Sequence, residues 1–163
     1  INPYVHYDSP ENTEPRLFQE KVDPRLPAME RVVHVASDKI NKIYPLSILS
    51  KKGVINDRVG NENVVLFHKP GTVSVLDEAD IRKGKNIGTV TVFNAIYKGK
   101  VLIFNHKDGN FTDRQTGSVW DITGHCIDGP EKGAALIPRY YGVHFAFAWF
   151  AFYPDTEIYS EEK

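Results

Sequence analysis

The chain has 163 residues, 41% of them hydrophobic and 25% charged, with 20 basic against 21 acidic side chains. That length suits one domain able to bury roughly two-thirds of its surface on folding. A net charge of −1 gives no field to draw in nucleic acid or an anionic membrane, and the longest apolar run, Phe145–Phe152, falls far short of the roughly 20 residues of a spanning helix.

Residues 1–28 hold five of the ten prolines, Pro3, Pro10, Pro15, Pro24 and Pro27. Proline fixes φ and removes a donor, so this stretch reads as an extended, irregular arm ahead of a single domain at 29–163. Two readings of the arm stay open. It lies on its own domain, or it wraps a partner chain with Tyr4, Tyr7, Leu17 and Phe18 as anchors. The first residue is Ile1 rather than Met. Either a leader has been removed or the start lies upstream; no signal sequence is visible.

From Arg31 the pattern is β-like. Val32–Ala36 is a short β-branched run, and Lys42–Asp57 reads as a strand end, then a turn or short helix from Pro45 that Gly53 ends. Asn63–His68 and Gly88–Tyr97 read as strands by β-branched and aromatic content. Lys98-Gly99 and Asp108-Gly109 are hairpin turns, glycine supplying positive φ. Leu76–Gly84 is one helical turn or a loop, and Gly117–Gly124 carries a further strand. His144–Pro154 alternates large and small residues as a strand would. Yet Phe145, Trp149 and Phe152 also fall at i, i+4 and i+7, and the alanines and Pro154 favour a short buried helix. The expected fold is a β-rich α+β domain, antiparallel and sandwich- or barrel-like, with two or three short helices. Trp120, Phe145 and Trp149 should lie in or line its core.

The last third concentrates polar residues beside large aromatics: Asp113, Arg114, Ser118, Asp121, His125 and His144. A buried unpaired polar group costs roughly 1–3 kcal/mol, so this is where a site is sought. No Gly-rich phosphate loop, HExxH or GxSxG is present. Cys126 stands alone, which excludes an internal disulfide, an attached c-type haem and a cysteine-rich zinc site. Histidines at 6, 34, 68, 106, 125 and 144 form no paired-ligand spacing. His68, His125 and His144, with Asp113 or Asp57, are weak metal candidates. His125 and Cys126 should face opposite sides of a strand.

Asn56–Asn61 reads as a polar Asx turn. In Thr112–Trp120, Asp113 is expected to cap a turn and pair with Arg114, Gly117 to take left-handed backbone, and Ser118 to lead into the strand. The candidate pocket is Asn56, Asp57, Asp113, Arg114, Ser118, Trp120 and His144. A Ser118–His144–Asp113 triad can be written, but it lacks an elbow motif.

Several segments carry a resemblance: Lys42–Asp57, Val64–Asp77, Ile87–Asn105, Phe111–Leu136 and His144–Tyr159. The most specific pieces are Asp113-Arg114-x-Thr116-Gly117-Ser118-x-Trp120, Gly124-x₄-Gly129-Pro130, and Trp149 with Pro154-Asp155-Thr156. In this order they resemble the DUF 3179 family, a domain of unknown function, over about Lys42–Tyr159. The resemblance implies likeness to exported bacterial and archaeal proteins and no established activity. Many members carry a Cys-x-x-Cys-Gly-Ser-like segment and a histidine where this chain has Lys69-Pro70-Gly71-Thr72 and Lys51-Lys52. The chain thus resembles a cysteine-lacking branch, with Gly71–Asp77 as its counterpart segment, and thiol chemistry is not expected.

Two functions follow. One is an extracytoplasmic binding or accessory subunit without chemistry of its own, using the arm for a protein partner or self-association. The other is a hydrolase or metal-dependent enzyme built on a His/Asp pocket. No cofactor, nucleic acid or transmembrane segment is expected.

Overall fold

The computed structural model describes residues 26, 29–37, 40–71 and 88–160. The arm and the Leu76–Gly84 segment lie outside them, but for Leu26. The described chain is β-rich, with antiparallel sheets, two short helices and no closed barrel. It gathers into two compact units. Of the described residues, those up to 48 and from 141 onward form a terminal unit, and those from 49 to 140 form a central unit.

The terminal unit is built on one four-stranded sheet. The β-branched run becomes β1 (Arg31–Ser37), which pairs antiparallel with β2 (Ile40–Pro45) and β12 (Tyr141–Phe145). β13 (Glu157–Ile158) adds to β2 in parallel, giving the order β12-β1-β2-β13. The His144–Pro154 stretch resolves into both readings. Its first two residues end β12, and α2 (Ala146–Phe152) follows. The buried face of α2 is Ala146, Phe147, Trp149 and Phe150. Phe145 lines the core half-buried, whereas Phe152 is 67% exposed. In a run this uniformly apolar, the i, i+4, i+7 pattern does not single out the inward face. Val32 and Ile43 meet Ala146, Trp149 and Phe150 in the unit's apolar cluster.

Helix α1 (Leu46–Lys52) follows Pro45, and Gly53 ends it at φ +79°, its N–H bonding the Leu49 carbonyl at 2.8 Å. The central unit then forms the meander β3 (Val54–Val59), β4 (Glu62–Lys69) and β5 (Thr89–Asn94). β6 (Ile96–Tyr97) and β7 (Lys100–Val101) form a hairpin whose turn residues Lys98 and Gly99 have φ of 52° and 77°. A second meander follows: β8 (Phe104–Lys107), β9 (Asn110–Asp113), β10 (Val119–Trp120) and β11 (Cys126–Asp128).

Two boundaries differ from expectation. The strand read as Gly88–Tyr97 breaks at Ala95, because the Asn94 side chain takes the Ile96 N–H at 2.8 Å and Ala95 N–H turns to the Asn63 carbonyl. Asn56 and Asp57 lie within β3 rather than in a turn, since Val59 pairs with Glu62 and the chain reverses at Gly60-Asn61. The core of the unit centres on Phe67, which stacks on Phe111 at 3.9 Å and meets Phe104 edge-on at 5.3 Å. Trp120, Phe93, Leu102 and Cys126 complete it.

Candidate functional site

The Asp113–Trp120 segment leaves β9, turns, and returns as β10. Asp113 and Trp120 are both fully buried. Trp120 Nε1–H donates to Asp113 Oδ2 at 2.8 Å, and Thr116 N–H donates to Oδ1 at 2.5 Å. The Thr116 hydroxyl lies 2.9 Å from Asp113 Oδ2 and 2.7 Å from Ser118 Oγ. One hydroxyl has one proton. Because the carboxylate can only accept, Thr116 gives its proton to Asp113, and Ser118 gives its own to Thr116. Ser118 Oγ in turn accepts the Glu131 N–H at 3.1 Å. Each donor in this buried group has an acceptor, which is the condition for holding a carboxylate away from water.

Glycines close the arrangement. Gly117 sits at φ +74°, and a Cβ added there would meet nothing within 4 Å, so backbone conformation alone selects it. A Cβ on Gly124 would stand 2.5 Å from the Phe93 ring, and one on Gly129 would stand 2.7 Å from Ser118 Cα. The two glycines are therefore close-approach points, one against the core and one against the buried serine.

The remaining expected residues have separate tasks. Arg114 does not pair with Asp113: its Nη2 donates to Asn105 Oδ1 at 3.3 Å, while the carboxylate faces inward. Asn56 grips one backbone residue twice, Nδ2 donating to the Phe104 carbonyl at 2.9 Å and Oδ1 accepting Phe104 N–H at 2.8 Å. It fastens β3 to β8. Asp57 is half-buried on β3. His68 is buried on β4 beside Gly88. His125 is exposed and Cys126 buried, the opposite facing that strand geometry requires. Asp113 and Trp120 are thus joined by a direct hydrogen bond within the central unit, with Ser118 linked to Asp113 through the Thr116 hydroxyl, whereas His144 belongs to the terminal unit. Among the described residues no three His, Cys, Asp or Glu side chains are grouped as metal ligands would be.

Two carboxylates in the central unit also have fixed partners. Burial pushes the Asp121 carboxyl up, but the Thr123 hydroxyl and the N–H groups of His125 and Thr123 outweigh it and hold the group below its usual range. Glu131 is held low by the Tyr97 hydroxyl at 2.9 Å and by Lys98 Nζ at 3.3 Å. Nothing local in the sequence pairs Glu131 with Tyr97.

The terminal unit has its own polar cluster. Trp149 Nε1–H donates to Thr156 Oγ1 at 2.7 Å, and Thr156 donates onward to the Tyr153 carbonyl at 2.7 Å. Ile40, Asn41, Tyr153, Asp155, Thr156 and Glu157 line a cavity of about 370 Å³. His34 Nε2 lies 3.1 Å from Asn41 Oδ1. His34 and Asn41 are absent from the expected pocket. Strand alternation alone puts His34 on the face of Val32, but not against an indole from a distant helix.

Two of the three most specific sequence patterns share one arrangement, a buried indole with a hydrogen-bond acceptor seven residues away: Asp113 before Trp120, and Thr156 after Trp149. A sequence model of the family described as Protein of unknown function (DUF3179) matches residues 1–156. The chain belongs to that family. The match takes in the first 41 residues, ahead of the stretch that carries the resemblance. No curated protein and no solved structure matches the chain. In this DUF3179 protein no helix among the described residues is long and apolar enough to cross a membrane.

Proposed function

We propose that this DUF3179 protein is an extracytoplasmic binding or accessory subunit with no chemistry of its own. The observation that carries the reading is the proton accounting around Asp113. The carboxylate is engaged by Trp120 and Thr116, and the Ser118 proton goes to Thr116 rather than to a base. A nucleophilic serine needs a base within hydrogen-bond reach, and a general-base carboxylate needs a lone pair facing substrate. Here both groups hold a turn in place.

The residues most readily read as catalytic are thus explained by folding, which leaves surface recognition as the task. Placement outside the cytoplasm rests on the likeness to exported members of the family. The proline-rich residues 1–28, with Tyr4, Tyr7, Leu17 and Phe18, supply the contact to another chain: an extended segment covers a large surface without needing a pocket, although ordering it costs entropy. Sedimentation of the full chain and of a chain starting at residue 29 tests this. The full chain should sediment as an assembly and the shortened chain as a monomer with an unchanged circular dichroism spectrum. Monomers in both cases would remove the arm as a contact element.

A further inference from the structure

β1 and β12 place Val32 opposite His144 and His34 opposite Gly142. Alternation then brings His34 and His144 to one face of the sheet as diagonal neighbours, their ring centroids 6.0 Å apart. Trp149 of α2 packs on both, 4.1 Å from His34 and 4.9 Å from His144. A Cβ on Gly142 would fall 2.8 Å from His144 Nε2, so glycine leaves the room this imidazole occupies. Helix α2 has seven residues and no side-chain cap at its start. A helix that short has little stability of its own and is held by tertiary packing, so the contacts of Trp149 matter to whether it stays in place.

We propose that the His34–Trp149–His144 cluster is an acid-sensitive latch, which holds α2 on the sheet while both imidazoles are neutral and releases it when both are protonated. Asn41 Oδ1 is an acceptor, so His34 Nε2 carries hydrogen and Nδ1 receives an incoming proton. One imidazolium is tolerable: a cation over an indole face gains about 0.5–1 kcal/mol, and His34 keeps its bond to Asn41. A second places two cations against one ring.

Among the described residues the surroundings offer no paired counter-charge. β2 presents Ile43 and Asn41 to His34, β12 presents Gly142 and His144, and α2 presents Trp149, itself stacked on Tyr153 at 4.4 Å. Asp155 and Glu157 line the cavity that Asn41 also lines, but neither is hydrogen-bonded to either ring. Arg31 and Lys42 alternate onto the opposite face, where Arg31 lies over Phe145 and Lys42 over Tyr44 and Tyr159. Burial holds His34 below its usual 6.5, with Asn41 drawing it back up and His144 pressing it further down; burial also lowers His144. A histidine lowered by folding leaves the folded state at full stability above the unfolded value, and that stability is lost as pH falls through the folded values. Since Phe152 ends α2 and Tyr153–Glu157 follow it directly, together supplying most of the cavity wall, release would reshape the cavity.

Amide hydrogen exchange at matched intrinsic rates tests the latch in the full chain. Protection of Phe150–Tyr153 should fall about tenfold or more as pH is lowered from about 7 through the titration of both imidazoles, while Val64–Phe67 in the central unit keeps its protection. In H34Q/H144Q the α2 protection should no longer depend on pH over that range. If the double variant does not fold, H144Q, altered at an exposed ring, should remove the acid loss by the same reasoning. The proposal is overturned if α2 protection stays constant while both imidazoles are seen to titrate. An equal loss in the glutamine variants, or an equal loss at Val64–Phe67, would overturn it too.

Discussion

The two buried tryptophans of this protein are anchored in opposite ways. Trp120, in the central unit, gives its N–H to a carboxylate with no exposed surface, and a threonine, a serine and a glycine turn are organised around that charge. Trp149, in the terminal unit, gives its N–H to a neutral hydroxyl and is flanked by two imidazoles. A buried charge with all its donors in place is strong but brittle: removing it strands several groups at once. A neutral bond is weaker, and the indole that makes it lies against two titratable rings, so in the proposed latch its seat answers to pH. One arrangement, an indole bonded to a group seven residues away in the chain, thus serves as a fixed anchor in one unit and, in the proposed latch, as a releasable one in the other.

Asp113→Ala should have the largest effect of any single substitution at the two anchors. It leaves Trp120 Nε1–H, Thr116 N–H and the Thr116 hydroxyl without their acceptor, and should cost about 3–5 kcal/mol in urea unfolding. A cost below about 1 kcal/mol would mean that the carboxylate is not what holds the turn. Thr156→Val makes the matching test of the other anchor. It strands one N–H and one carbonyl, both neutral, and should cost about 2 kcal/mol. Thermal unfolding of the two variants side by side should place Asp113→Ala clearly lower.

Smaller effects are expected at two glycines of the central unit. Gly117→Ala and Gly124→Ala both place a side chain at positive φ, but only the second meets a neighbour, the Phe93 ring. The first should cost about 1 kcal/mol and the second about 1–2 kcal/mol more, as read by denaturant midpoints. Equal costs would mean that Phe93 moves aside freely.

Acid should separate the units as well. His34 and His144 have usual values of 6.5, whereas Asp121 and Glu131 start from 3.8 and 4.5 and are held lower still. The two carboxylates therefore lend stability that is present above their unfolded values and lost only as pH falls through the lowered folded ones. Of these four groups, the imidazoles are the first to respond on acidification.

Much of the frame is legible in the sequence because its signals are local. The β-branched run Val32–Ala36 and the β-branched and aromatic run Asn63–His68 form strands, Gly53 ends a helix, and Lys98-Gly99 and Asp108-Gly109 take the positive φ that hairpin turns need. Asp113 capping its own turn is legible for the same reason. The inward face of α2 is not, because nearly every residue in the run is apolar and no polar stripe marks the outside. Asn56 looks like a turn former in its local sequence because its partner, the Phe104 backbone, lies 48 residues away. His34 meeting Trp149 is likewise a product of sheet register and helix placement, which single-residue patterns do not encode.

A double-mutant cycle with Asp113→Ala and Trp120→Phe measures directly whether Asp113 is a structural anchor for Trp120. Both side chains are fully buried and bonded at 2.8 Å, so the cycle isolates that contact from the general cost of each substitution. A structural anchor should show a coupling of about 1–3 kcal/mol in unfolding free energy. Costs that simply add would contradict it, and would return the Asp113 carboxylate to the pool of groups free to act on something else.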